Sequence, residues 1–370
     1  MPQQLLDIDD VVDKSIEEDE DIVLPEEYLI NSFGADYTVD SLVNRLQRGD
    51  IYIPSFQRDY VWSQKEASRF IESLLLGLPV PGIFLARESL TNKLIVIDGQ
   101  QRLKTLQFYY TGEFKPDSSL THSRKFQLQR VQKKFEGLTY SELDEKYRIR
   151  LDDSIIHATI VQQEFPREST LDYSKHYSSS IYHIFERLNN GGLKLTPQEI
   201  RSAIFYGEFI SMIEELNDYP AWRSIYGAYN GRMKDAELII RFLALLNNLE
   251  NYRRPMVEFL NEFAEKYRNA DSEQLYHFRQ QFTLTIDAAS KALGYQIFRL
   301  NKSINAALFD SAMIGIHSAV TSPHYNSDTL KIQYAALLEN TEYKNLIAQS
   351  TSDDNNVRKR IEIANSILSK

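Results

Sequence analysis

One stretch of the sequence decides the fold of its first half: Leu94-Ile95-Val96-Ile97-Asp98-Gly99-Gln100-Gln101-Arg102. Its first four residues are all apolar, which predicts a strand buried on both faces. Apolar residues then recur at helical spacing from Leu103 to Tyr110, so a helix should follow the turn. Asp98 is the expected N-cap of that helix, and Gln101 is the expected N3 residue of a capping box.

The charge at this helix start points to an anion. Arg102 and Lys104 place positive charge at the positive end of the helix dipole, which costs about 0.3–1 kcal/mol each unless an anion binds there. Gly99 allows a ligand to approach the backbone closely, and the N–H groups of a helix start bind phosphate readily. The pattern therefore predicts a phosphate site, and a plain capped helix is the structural alternative.

The sequence on either side predicts an α+β fold. Ser63 and Glu66 form a capping box for a helix that Gly77 ends. Short strands are expected at three further places: 51–53, 83–86 and 155–161. From residue 182 onward the periodicity is helical, so we expect a mixed domain at 25–165 and a mostly α-helical domain at 166–370.

The negative charge of the chain is concentrated at its beginning. Residues 1–24 hold nine acidic side chains and one lysine, so the other 346 residues carry only −2 of the formal net charge of −10. The main body is therefore close to neutral and able to present a basic face. We expect residues 1–24 to be a disordered, solvated tail, and a nucleic-acid mimic that covers a basic groove is the alternative.

Composition excludes several classes of protein. The chain has no cysteine, which rules out disulfides, thiol catalysis and cysteine-ligated zinc. No apolar run approaches the ~18 residues of a membrane span, and the acidic N-terminus does not resemble a secretory signal. We therefore expect a cytoplasmic protein without a membrane partner.

A second motif is aromatic and basic. Phe56, Arg58, Tyr60 and Trp62 alternate along the chain and would share one face of an extended segment. An arginine among aromatic rings suits stacking on a base together with a phosphate contact. The structural alternative is a strand edge whose aromatics lie in the core, with Arg58 paired to Asp59 or Glu66.

A third motif, Phe185-Glu186-Arg187-Leu188-Asn189-Asn190-Gly191-Gly192, predicts the end of a helix. Thr196, Pro197 and Glu199 then predict the start of the next one. Most of this connection needs no function. Asn189 and Asn190 are the exception, because two amides beside a glycine pair are able to bind ribose, a base or hydrated Mg²⁺.

A fourth motif, Arg232-Met233-Lys234-Asp235-Ala236-Glu237, leads into another apolar helix. Asp235 is the expected cap of this helix, and Glu237 is expected to pair with Arg241 one turn later. This motif favours a structural role.

In this order, the four motifs resemble the N-terminal domain family of GmrSD-type modification-dependent restriction enzymes. The family patterns are F-x-R-x-Y-x-W, D-G-Q-Q-R, F-x-R-L-N-x-G-G and R-x-x-D-x-E-L, and D-G-Q-Q-R is the most specific of them. The resemblance spans about residues 30–245. It implies a ParB/sulfiredoxin-like fold that binds or hydrolyses nucleoside triphosphates in bacterial anti-phage systems. The cysteine that sulfiredoxin chemistry needs is absent here.

The resemblance assigns roles to individual residues. Arg102 would grip phosphate, Gln100 and Gln101 would position phosphate or water, and Asp98 would cap the helix and offer a ligand to a metal that the sequence leaves undefined. The implied catalytic residues are Asp98, Gln100, Gln101 and Arg102. The implied nucleotide-binding residues are Arg58, Tyr60, Trp62, Gly99, Arg102, Asn189 and Asn190.

The chain departs from full-length restriction members after residue 205. An HNH nuclease needs clustered His and Asn, whereas His277, His317 and His324 are scattered through helical sequence. The resemblance therefore implies a sensor or NTPase component, with a separate nuclease or defence-system subunit as its partner.

Three functions remain open at this point. The first is Mg²⁺-dependent hydrolysis of a nucleoside triphosphate; the second is nucleotide binding that gates DNA recognition with little turnover; the third is an interaction subunit with an idle pocket. The presence of Arg58, Gln100, Gln101 and Arg102 counts against the third. No clear general base separates the first two, since Glu186, Asp59 and Asp98 all qualify.

Overall fold

In the computed structural model, the described residues are 30–53, 60–88, 91–115, 124–163 and 196–370. They divide between two compact units, whose boundary falls between Lys194 and Leu195. The first unit is mixed α and β, and the second is helical apart from one isolated bridge between Arg299 and Ile304. The expected α+β fold is confirmed, while the predicted boundary at 165/166 lies outside the described residues.

The first unit contains seven described strands and four α-helices. The strands are β1 Ile30–Thr38, β2 Ile51–Tyr52, β3 Ile83–Arg87, β4 Leu94–Asp98, β5 Glu113–Phe114, β6 Arg124–Lys125 and β7 Ile155–Gln163. The helices are α1 Val39–Arg48, α2 Gln64–Leu76, α3 Gln100–Thr111 and α4 Glu145–Asp152.

Five strands form one mixed sheet in the order β1-β7-β3-β4-β2. β1 runs antiparallel to β7 and β3 antiparallel to β4, whereas β7 with β3 and β4 with β2 are parallel. Strand β4 is buried from Leu94 to Ile97, as its apolar run predicts. The strand predicted at 155–161 is present as β7; its side chains alternate and His157 is exposed, so only one face meets the core.

The helices of the first unit form where local signals place them. Helix α2 starts at a complete Ser63–Glu66 capping box and ends at Gly77 in the left-handed conformation, which confirms the predicted bounds. Helices α1, α2 and α3 pack their apolar residues into one core with the inner face of the sheet. This core fixes the directions of β4 and α3, and therefore the position of the turn between them.

The second unit contains ten α-helices among the described residues. They are α5 Pro197–Ile204, α6 Glu208–Asn217, α7 Pro220–Tyr226, α8 Lys234–Asn248, α9 Met256–Lys266, α10 Ser272–Leu293, α11 Ala306–Val320, α12 Ser327–Glu339, α13 Thr341–Leu346 and α14 Asp354–Leu368. The predicted start of α5 is confirmed, with Thr196 as N-cap, Pro197 at the first turn and Glu199 closing the capping box.

Candidate functional site after strand β4

The turn from β4 into α3 has a backbone that only glycine adopts without strain. Gly99 has a φ of 106°, in the left-handed region that disfavours other residues. A Cβ at this position would lie 2.4 Å from the Cγ2 of Ile83. The space predicted for a ligand beside Gly99 is therefore filled on that side by β3, and the glycine allows close packing of helix on strand.

A bulge in the sheet sets the direction of Asp98. The register between β3 and β4 shifts at Phe84/Leu85, so that Phe84 faces Asp98 while Leu85 faces Val96. Bulges of this kind re-aim side chains and are common beside functional sites. Asp98 consequently remains in the strand, and its side chain is 51% exposed.

The predicted capping role of Asp98 is wrong. Gly99 is the N-cap of α3, and no side chain makes a cap hydrogen bond there. The helix begins one residue later than expected because β4 pairs with β3 through Asp98. Gln101 therefore occupies the second helical position rather than the third, and the predicted Asp98–Gln101 capping box does not form.

Asp98 instead pairs with Arg102. The Nη2 of Arg102 donates to the Oδ2 of Asp98 at 2.7 Å, one helical turn apart. The Arg102 side chain is only 14% exposed, and its buried Nε has no hydrogen-bond partner in the described part of the chain. A guanidinium has five N–H donors, so the ion pair with Asp98 leaves Arg102 with unused donor capacity at the helix start.

The two glutamines of the motif are held differently from the prediction. Gln100 is 9% exposed and belongs to the buried base of the turn. The Oε1 of Gln101 accepts hydrogen bonds from the backbone N–H of Val61 at 3.0 Å and of Trp62 at 3.2 Å. The oxygen of Gln101 is thus engaged with the aromatic motif, and the predicted contact with phosphate would have to be made by its Nε2–H donors.

Tyr60 lies in the core. It is 5% exposed, its hydroxyl is 2.6 Å from the Oγ1 of Thr105, and its ring meets Phe108 and Phe114 edge to face. Burial raises the pKa of Tyr60 above its ordinary value, so the phenol stays neutral. In this arrangement the Tyr60 ring packs in the core, as the structural alternative for this motif predicts, and its nucleotide-binding role stays a prediction.

Trp62 is half-buried and borders an open cleft of about 650 Å³. The described residues that line the cleft are Tyr60, Val61, Trp62, Ser63, Gln64, Lys65, Phe114, Arg124, Gln129 and Arg130. Three of them are cationic and none is acidic. The sequence does not predict that Arg124 and Arg130 lie in the same cleft as Lys65, because some sixty residues separate them from Lys65 along the chain.

Several predicted residues lie outside the described residues. They are the tail 1–24, Arg58 and Asp59 of the aromatic motif, and Glu186, Asn189 and Asn190 of the third motif. The site that the structure does assemble joins Asp98, Gly99 and Arg102 at the helix start and connects them through Gln101 to the cleft wall at Val61 and Trp62.

The fourth motif is structural, and one detail of its prediction is wrong. Met233, not Asp235, is the N-cap of α8, with a φ of 56°. Asp235 is 1% exposed and lies 3.0 Å from Arg223 in an ion pair. The predicted Glu237–Arg241 pair is present at 3.8 Å, and Arg241 also makes a two-point contact with the buried Asp310.

The histidines of the second unit take part in internal hydrogen bonds. His277 bonds Gln281, and His317 bonds Thr285, while burial lowers the pKa of His317. Within the described ranges, no three His, Asp or Glu side chains gather in a way that could hold a metal ion. Nor does any helix in those ranges have the length and apolar character needed to cross a membrane.

Comparison with known proteins agrees with the motifs. An uncharacterized protein of Methanocaldococcus jannaschii is 25% identical over 299 residues, an alignment that covers 60% of this chain and 50% of that protein. The chain thus spans about half the length of the curated relative that it matches. Residues 39–206, which include β4, the turn and α3, match the sequence model of the GmrSD restriction endonuclease N-terminal domain. The expected resemblance to the GmrSD N-terminal domain family is therefore confirmed over residues 39–206.

Proposed function

We propose that the protein binds a nucleoside triphosphate at the turn between β4 and α3 and hydrolyses it with Mg²⁺, as a component of a restriction or anti-phage system. One observation carries the proposal: Arg102 stands in the first turn of a helix that no side chain caps, and it is paired with a half-exposed carboxylate. A helix start and a guanidinium together form a strong anion site.

In the proposed mechanism, phosphate replaces Asp98 on Arg102. The ion pair is one-point and solvent-accessible on the Asp98 side, so exchange for a phosphate oxygen costs little. The helix N–H groups add partial positive charge, and Arg102 stabilises negative charge that develops during phosphoryl transfer.

The residues present suit Mg²⁺ that arrives with the nucleotide. Mg²⁺ is commonly held by one or two carboxylates together with substrate phosphates, and Asp98 offers one exposed carboxylate beside the phosphate position. When bound, Mg²⁺ would neutralise phosphate charge. The task of this chain's own residues is to hold the phosphates, through Arg102 and the helix start, and to orient Asp98 towards them.

A second function is favoured by the basic cleft. A non-hydrolysing module that binds DNA when nucleotide is present, and that recruits a separate nuclease, would use Lys65, Arg124 and Arg130 as phosphate contacts. DNA affinity should then fall steeply with salt. Phosphate release followed with and without DNA separates this function from hydrolysis.

The test is to titrate the purified protein with each nucleoside triphosphate and to measure binding and phosphate release. Arg102→Ala should weaken binding at least about tenfold, or 1.4 kcal/mol, because a charge-assisted contact is lost. The matched control is Arg48→Ala, which removes the exposed 2.9 Å pair with Asp50 elsewhere in the same unit. Unchanged affinity in Arg102→Ala, or a melting temperature far below that of the control, would overturn the proposed role of Arg102.

A further inference from the structure

We propose that Gln101 is a positioning residue: its side-chain oxygen clamps the backbone of Val61 and Trp62 onto α3 and thereby places Trp62 at the edge of the basic cleft. The clamp rests on contacts between two parts of the chain about 40 residues apart. Its link to nucleotide binding rests on the proposed function, but the clamp itself does not.

The first contact uses both lone-pair directions of one amide oxygen. The Oε1 of Gln101 accepts from consecutive backbone N–H groups, those of Val61 and Trp62. These N–H groups lie just before Ser63, the N-cap of α2, where the chain changes direction. A side chain in this position fixes the path of the segment, and its oxygen is fully engaged because an amide oxygen has only two lone pairs.

The second contact lies one turn further along α3. Thr105 donates its hydroxyl proton to the carbonyl oxygen of Gln101, so the Tyr60 hydroxyl must be the donor in its 2.6 Å bond to Thr105. Phe108, a further turn along the same face, meets the Tyr60 ring at 5.0 Å. Positions 101, 105 and 108 are therefore one helical face that holds the segment at three points.

The clamp connects the two halves of the candidate site. Gln101 directly precedes Arg102, while Val61 and Trp62 belong to the wall of the cleft that also contains Lys65. Any movement of the first turn of α3 is therefore transmitted to the cleft wall through one side chain. A direct phosphate contact would use the Nε2–H groups of Gln101, because phosphate oxygens accept hydrogen bonds, and it would leave the contacts of Oε1 with the wall in place.

Gln101→Glu and Gln101→Leu distinguish positioning from direct contact. A carboxylate is able to accept both N–H groups, and a negative charge at the second helical position suits the dipole, so Gln101→Glu should keep the clamp. Leucine is similar in size and has no acceptor, so Gln101→Leu should release the segment and expose Trp62.

Acrylamide quenching of tryptophan fluorescence reports the clamp without any nucleotide. The sequence has two tryptophans, and Trp222 is fully buried, so quenching reports mainly the half-buried Trp62. We expect the quenching constant to rise by about twofold in Gln101→Leu as the segment opens locally. It should stay at the wild-type value in Gln101→Glu. Tyr60→Phe, which removes the second contact only, should give a smaller rise.

Nucleotide affinity, measured on the same variants, completes the test. A quenching constant in Gln101→Leu equal to that of the wild type would overturn the clamp. If that variant then also lost nucleotide affinity, Gln101 would be a direct ligand contact. The clamp would also be overturned if Gln101→Glu and Gln101→Leu had the same raised quenching constant. If no variant, including the wild type, binds any nucleoside triphosphate, the proposed function fails while the quenching result still decides the clamp.

Discussion

At two helix starts in this protein an aspartate pairs with an arginine. The two aspartates differ in their exposure to solvent. At α3, Asp98 is 51% exposed and makes one ion pair, with Arg102. At α8, Asp235 is 1% exposed, and its Oδ2 lies 3.0–3.2 Å from Arg223, from the side-chain amide of Asn217 and from the backbone N–H of Asn230. Asp98 belongs to the motif predicted to bind phosphate, whereas Asp235 belongs to the motif for which the sequence favours a structural role.

The difference shows how burial decides whether a charged pair is available to a ligand. Removing a partner from a buried charge leaves the other charge uncompensated in a poorly solvated site, so Asp235 is not free to exchange. In the α3 pair the carboxylate of Asp98 is half-exposed, so water is able to solvate it when a ligand takes its place on Arg102. We therefore expect variants at α8 to change stability and variants at α3 to change binding.

The largest expected effect is that of Asp235→Ala. It should lower the free energy of unfolding by about 3–5 kcal/mol, because Arg223 loses its buried counter-charge. Asp328→Ala is the matched control, since Asp328 also lies in the first turn of a helix of this unit, α12, but is exposed. Thermal and denaturant unfolding of both variants provide the measurement. If Asp235→Ala and Asp328→Ala have the same free energy of unfolding, the contrast between the helix starts does not hold.

Gly99→Ala should have the next largest effect. Alanine is strained at a φ of 106°, and its Cβ would also clash with Ile83. We therefore expect a loss of about 1–3 kcal/mol in the free energy of unfolding. Gly49→Ala is the control, because Gly49 has a φ of 74° and open space around the added Cβ. The difference between the two variants isolates the contact with Ile83. Equal losses would show that the turn does not depend on that contact.

Elements with local signals were the ones that the sequence predicted well. The start of α2 at Ser63 and that of α5 at Thr196 follow from capping residues a few positions apart, which act within one helical turn. Strand β4 follows from a run of apolar residues. In each case the determining interactions lie close together in the chain.

Features that depend on distant contacts were missed. Strand β1 has an alternating pattern, but Gly34 and Asp36 disfavour strands, and its hydrogen bonds come from β7, whose paired residues are 117 to 133 positions away. The N-cap of α3 was misplaced because the bulge opposite β3 keeps Asp98 in the strand. The sequence also does not predict the partners of Gln101, because they are backbone N–H groups from a distant segment.

The smallest change in stability, and the sharpest test of the comparison, is expected for Asp98→Asn. This variant keeps the shape of the side chain and removes its charge, and the half-exposed pair should contribute no more than about 0.5 kcal/mol to unfolding. Without metal, Asp98 competes with phosphate for Arg102 and repels it. Nucleotide measured in the presence of a chelator should therefore bind about fivefold more tightly to Asp98→Asn, which corresponds to the ~1 kcal/mol between two unit charges about 4 Å apart in water. With Mg²⁺ present, phosphate release should fall, because the carboxylate beside the phosphates is gone. Asp50→Asn removes the same charge from the exposed pair with Arg48 and should change neither quantity. Weaker metal-free binding in Asp98→Asn would mean that Asp98 holds Arg102 in place for the nucleotide instead of competing with it, and the two helix starts would then share a structural role.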